Sequence, residues 1–315
     1  MRRFPIIVIG THCIFAGLAR AQTAPLPPGI PLTTATVSVA ITYDSASDVF
    51  AYAYSLSNSP QSVGRIGSFN VDISTMPNGA SLRSDGLVNS STGYQGFGGA
   101  TKLADQVTNA TIPVGFLSQP LGWSSGPTAL LAASWYAPVS PSAPITPGQS
   151  GGPFVLTSHG VPGIRRYIAK PVYNPRKFFS QGIDDVSVDE AQQIVDLDKA
   201  IRQAISSVGY TVGPVQPPSL TEIGQLLDFL AALKHQAASL GWIYGPGSDG
   251  IVQSLDAKLT AAKASAASGD DKTSINQLNA FINELQAQHG KHLNDNAYYM
   301  LLPDAQFVIS KLGAQ

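Results

Sequence analysis

Charge, cysteine and long apolar runs are all scarce in this chain. Only 12% of its 315 residues are charged, and the formal net charge is −1. A protein that binds nucleic acid neutralises phosphates with a basic stripe. Here Lys and Arg are scattered, and past the N-terminus the adjacent basic pairs are Arg165-Arg166 and Arg176-Lys177. No nucleic-acid partner is expected. Cysteine occurs once, at Cys13, so burial rather than a disulfide must hold each folded unit. Beyond the N-terminal segment no run reaches about 18 consecutive apolar residues, the length a membrane-spanning helix needs. Glutamate is absent before Glu190, and the acids between 32 and 173 are Asp44, Asp48, Asp72, Asp85 and Asp105. That is a sparse supply for the paired carboxylates of glycoside hydrolysis.

The N-terminus has the features of a secretory signal. Arg2 and Arg3 precede a mostly apolar stretch from Phe4 to Leu18, and Ala19 and Ala21 are the small residues a signal peptidase inspects. Cleavage behind Ala21 leaves a mature chain without cysteine and without a membrane span. A retained anchor is the alternative, although His12 interrupts the apolar stretch.

From about Leu32 to Tyr173 the pattern alternates with a period of two. In "TVSVAITY", Val37, Val39, Ile41 and Tyr43 share one face; in "VFAYAYSLS", Phe50, Tyr52, Tyr54 and Leu56 do the same after the polar turn "DSASD". This is a hairpin with a large aromatic face and a small-residue face. "SFNVDIS", "IPVGFLS", "ALLAASWYA", "PFVLTS" and "IRRYIA" continue the series between Gly- and Pro-containing turns. Seven or eight short strands without intervening helices predict an antiparallel β-sandwich over 22–180. Residues 78–110, rich in Gly, Ser and Asn, read as loop.

The period then becomes that of helices. Ser187 and Glu190 form a capping box for a connecting helix within 181–208, and two glycines and three prolines make 209–218 a linker. Ser219 and Glu222 form a second capping box, which opens a helical module over 219–315. Further helices are predicted over 249–267, from Asp271 to Gly290, and from Asp295 onward, each with an apolar stripe and a glycine stop where one is present. Pro303 lies inside the last stripe, where a kink or break is expected. Short connections predict antiparallel packing in a small bundle. The fold class is therefore α+β: an antiparallel β-sandwich followed by a small antiparallel α-helical bundle.

"SLDAKL", "NQLNAFINELQAQHGKHL" and the Gly241-Trp242 pair are the most distinctive pieces of the C-terminal block. They resemble the FIMAH-type helical module found at the C-termini of secreted bacterial proteins, over roughly Ser219 to Gly313. The resemblance implies an accessory, non-catalytic module and carries no catalytic residues with it. More weakly, "ITPGQSGGPFVLTSHGVPGIRRYIA" resembles a strand pair in sandwich domains of exported bacterial proteins.

One stretch looks like an active site. "GQSGGP", Gly148 to Pro153, differs by one residue from the nucleophile motif of chymotrypsin-like proteases and also fits G-x-S-x-G through Gly148, Ser150 and Gly152. The protease order places histidine before serine. His12 alone precedes Ser150, and it lies within the signal; the others are His159, His235, His289 and His292. The hydrolase elbow needs a strand before the serine and a helix after it, whereas the strand-like "PFVLTS" follows here. The motif reads as a glycine-rich entry into a strand with Phe154 and Leu156 inward, and no catalytic residue is assigned.

His289 and His292 have a metal-like spacing, but Gly290 ends the helix between them; no metal or cofactor is expected. The acidic "DDVSVDE", 184–190, lacks a calcium-loop pattern and suits a helix N-terminus. Among the aromatics, Trp123, Tyr94 and Phe97 are the candidate ligand or interface residues. The resulting expectation is a secreted (periplasmic, cell-surface or extracellular), non-catalytic binding, adhesion or scaffold protein. Its partner would be a cell-envelope component, a glycan or a co-secreted protein. A serine hydrolase using Ser150 and a structural subunit of a surface assembly are the alternatives.

Overall fold

The computed structural model of the protein describes residues 30–74, 114–128, 132–137, 143–174, 187–219 and 221–314. The predicted signal segment, Tyr94, Phe97, all of residues 78–110 and residues 184–186 lie outside the described residues. Two antiparallel sheets and a set of helices make up the described part, so the α+β class holds.

The predicted hairpin forms β1 (Ala35–Asp44) and β2 (Val49–Asn58), paired in register from Ala35↔Asn58 to Asp44↔Val49. The Asp44 carboxylate closes its turn, accepting from the Ala46 N–H at 3.0 Å and the Ser47 hydroxyl at 2.5 Å. With β7 (Ser150–Ser158) and β4 (Val114–Ser118), the hairpin builds a sheet of order β1-β2-β7-β4. The second sheet has the order β5-β6-β3-β8-β9, from β5 (Ser124–Thr128), β6 (Ala132–Tyr136), β3 (Ile66–Asp72), β8 (Val161–Pro171) and β9 (Ser207–Val215).

The sheets face each other through large aromatic rings. Phe69 stacks on Trp135 at 5.4 Å, and from the opposite sheet Tyr54 and Phe154 meet both. Phe50, Tyr52, Tyr54, Leu56, Phe154 and Leu156 are fully buried, as the period of two requires. Buried hydroxyls find backbone acceptors: Tyr52 donates to the Gly160 carbonyl at 2.7 Å and Tyr54 to that of Val212 at 2.9 Å.

The segment read as a linker is a correction. Residues 207–215 form β9, paired with β8 from Val161↔Val215 to Ala169↔Ser207. Helix α1 (Val188–Ile205) accordingly stops at Ile205, short of the predicted limit at 208. Gly209 lies within the strand because a Cβ there would sit 2.7 Å from the Tyr167 ring. Pro214 is tolerated on an edge strand, which β9 is. Glycine and proline thus mark close packing and a sheet edge here, not flexibility.

The helical module comprises α2 (Ile223–Ser239), α3 (Ser248–Ala267), α4 (Asp271–Gln288) and α5 (Asp295–Leu312). Ser219 accepts the Glu222 N–H at 2.9 Å, but Glu222 itself is the N-cap, so α2 begins later than the capping box predicts. Asp270 and Asn294 cap α4 and α5 through the N–H groups of Thr273 and Ala297. Pro303 does not break α5, a second correction. The helix runs through it, held on both sides by the buried Leu301, Ala305, Phe307 and Val308. Helix α5 packs on β1 of one sheet and on β8 and β9 of the other. One hydrophobic cluster therefore includes both the sandwich interior and the module's core.

Candidate functional site

Ser150 opens β7, and its hydroxyl lies 2.6 Å from that of Ser57 on β2. A Cβ at Gly152 would approach the Tyr54 carbonyl to 2.7 Å, and one at Gly151 would meet Ile145 at the same distance. Gly152 thus lets β7 lie close against β2, and Gly151 makes room for the Ile145 side chain. The histidines available to a hydrolase are engaged elsewhere. His159, beyond the far end of β7, has Nδ1 2.9 Å from the Asp48 carbonyl oxygen. Strand rise over the length of β7 alone separates its two ends by roughly 26 Å. His235 faces Lys234 and Asp256. His289 stacks on Tyr298 at 3.9 Å with Nε2 2.9 Å from Asp295, while His292 faces the Tyr244 carbonyl at 3.0 Å. The His289–His292 pair is thus split between different partners, and no group of three or more potential metal ligands assembles among the described residues.

Trp123, a candidate ligand or interface residue from the sequence, is in the core instead. It is 7% exposed, meets Phe154 edge-on at 4.8 Å and donates its indole N–H to the Ala143 carbonyl at 2.9 Å. The turn-rich neighbourhood suggested a surface position, but the turn carries Leu121 outward and Trp123 inward.

Two arrangements emerge that the sequence reading did not single out. The first is the outer face of the four-stranded sheet. Register places Thr42, Ala51 and Thr157 in one cross-strand row, Ala40, Ala53 and Val155 in the next, and Thr36, Ser57 and Ser150 in another. Thr36, Ser38, Ala40, Thr42, Ser55 and Ser150 are exposed. Across β1, β2 and β7, the described residues of this face between Thr36 and Thr42 carry no charge and only small side chains. The small-residue half of the β1–β2 alternation was its signal.

The second is the joint between sheet and helices. Tyr43 stacks on Phe50 at 4.7 Å and meets Phe307 of α5 edge-on at 5.8 Å. Its hydroxyl donates to Asp48 at 2.6 Å and lies 2.8 Å from that of Ser310. Lys311 pairs with the same Asp48 carboxylate and lies over the Phe307 ring at 4.7 Å. Burial and the Asp48 hydrogen bond push the Tyr43 hydroxyl up to about 12. At Asp48 burial acts upward, but the bonds from Lys311 and Tyr43 outweigh it and hold the carboxyl below its ordinary range. Deeper in the joint, burial alone pushes the Asp304 carboxyl well above that range. These residues were individually visible, but nothing in local spacing joins Asp48 to residue 311.

Among the described residues no helix is long and apolar enough to cross a membrane. No curated protein matches the chain. Residues 247–310, which hold α3, α4 and most of α5, match the family model of the FIMAH domain, a module associated with bacterial surface and secreted proteins.

Proposed function

We propose that this is an exported, non-catalytic binding, adhesion or scaffold protein working at the bacterial envelope or outside the cell. The observation that carries the reading is the FIMAH match, in a module sharing one core with a sandwich. The Arg2-Arg3 start and the apolar segment behind it support export. The uncharged, hydroxyl-bearing face of the β1-β2-β7-β4 sheet is the recognition surface in this reading, because it offers hydrogen bonds without the desolvation penalty of charges. Its partner is a cell-envelope component, a glycan or a co-secreted protein.

Immobilised mature protein is expected to retain one of these from envelope extracts or secreted material. Substitution of Ser38 or Thr42 by Glu is expected to abolish capture without unfolding. Failure to retain wall material, glycan or co-secreted protein would remove the binding reading. High-order oligomers by light scattering, with nothing captured, would favour a structural subunit. The non-catalytic part has its own test. Labelling by a fluorophosphonate probe that disappears in Ser150→Ala would make the protein a serine hydrolase.

A further inference from the structure

Asp304 is 3% exposed, and neither of its carboxylate oxygens has a hydrogen-bond partner among the described residues. It projects from α5 into a crevice walled by Val161 of β8, Leu226, Phe229 and Leu230 of α2, and Phe307 and Val308 of its own helix. Every other wall is apolar. The space left is about 10 Å³, room for about one water molecule. The crevice lies on the seam where the module meets the sandwich, not within either part.

A bare carboxylate in such a place is strongly disfavoured, and the group keeps its proton instead. The cations around the seam are committed elsewhere. Lys311 pairs with Asp48, and Arg165, itself buried, lies 3.6 Å from Asp72 and donates to the Pro214 carbonyl. Of the other titratable groups in the surrounding elements, Tyr52 of β2 donates to the Gly160 carbonyl, and Tyr43 of β1 donates to Asp48. His159, in the turn before β8, faces the Asp48 carbonyl. Helix α2 contributes only apolar side chains to the crevice. Among the described residues, nothing in the joint compensates a negative charge on Asp304.

We propose that the joint between sandwich and helical module is a pH-sensitive latch, closed while Asp304 holds its proton and loosened as that carboxyl ionises. The sign follows from linkage. The docked state raises the carboxyl's affinity for its proton, whereas a separated joint exposes it to water. Docking is therefore strongest near and below the ordinary carboxyl range, about pH 4, and weakens as pH rises above it. Asp48 works in the opposite sense. Its pairing with Lys311 is complete above the ordinary carboxyl range and is lost as pH falls through its lowered one. The latch is thus tightest in mild acid. Separation at this seam need not unfold the module, since Lys258–Glu284 at 2.6 Å and Lys263–Asp228 at 2.6 Å bind its helices to one another.

The test uses the full chain with its single cysteine, Cys13, replaced by serine. Val308→Cys then reports opening of the seam, and Ala133→Cys, in a separate chain, reports unfolding of the sandwich. Between pH 5.5 and 9, thiol labelling at position 308 is expected to accelerate beyond thiolate formation by up to about tenfold per pH unit, the limit for one linked proton. Position 133 should show no such excess. Asp304→Leu, or the closer-shaped Asp304→Asn if the first fails to fold, should remove the excess. The proposal is overturned if the excess survives either substitution. Equal acceleration at both positions, or loss of the excess in His159→Gln with Asp304 intact, would overturn it as well.

Discussion

Lys234 carries its charge in the interior of the helical module. The residue is 0% exposed, and its Nζ lies 2.5 Å from Asp256, 3.2 Å from the Val252 carbonyl and 3.3 Å from His235 Nε2. Its N–H groups thus reach the Asp256 carboxylate and the Val252 carbonyl, so a side chain costly to bury becomes a cross-link between α2 and α3. Burial pulls its pKa down, against the opposing pull of Asp256. Lys234→Ala is expected to cost about 3 kcal/mol in urea unfolding, since it leaves a void as well as stranded acceptors. Lys234→Met, which fills the space, should cost less. Trp123→Ala belongs with core truncations and should cost about 3–5 kcal/mol in the same measurement. Ser150→Ala removes one exposed hydroxyl contact with Ser57 and should shift stability by no more than about 0.5 kcal/mol.

At the scale of elements, β9 and α5 join parts of the chain that lie far apart. Strand β9 extends the sheet beyond β8 after a helical excursion, and its start is tied to β1 through Ser207, which accepts the Ala35 N–H at 3.0 Å. If this segment were a linker, a larger residue at Gly209 would be harmless. In the strand it collides with Tyr167, whose hydroxyl is held by the Ala35 carbonyl at 3.0 Å. Gly209→Val is therefore expected to destabilise by about 1–3 kcal/mol in thermal unfolding. Helix α5 was legible as an amphipathic run, and its stripe of Leu301, Ala305 and Leu312 is buried as periodicity requires. The sequence does not say that Phe307 on the same helix leaves the bundle's interior for the rings of Tyr43 and Phe50.

The whole molecule is less modular than its change of period implies. Sandwich and helices bury a single continuous cluster, and the joint adds the Asp48–Lys311 pair to its aromatic contacts. Calorimetry of the chain from residue 22 onward is expected to give one transition with matching calorimetric and van't Hoff enthalpies. Combining Phe307→Ala with Lys311→Ala should split it in two, as each part loses its cover on the other. The uncharged face of the four-stranded sheet points away from this joint's chemistry, leaving a broad surface for the proposed recognition role.

What the sequence determined by itself is local in origin. A period of two placed Phe50, Tyr52, Tyr54 and Leu56 inside, and a period of 3.6 with caps and glycine stops placed α3 to α5 within a residue or two. Such patterns survive in sequence because neighbouring residues share one strand or helix face. The tertiary structure alone decided the rest. Whether Gly209 bends a linker or admits a tyrosine ring, and whether Trp123 points to water or to Phe154, depends on elements distant in the chain. The same holds for Asp304, an ordinary helical aspartate in sequence. Its unpaired burial exists only because α2 and β8 close over it.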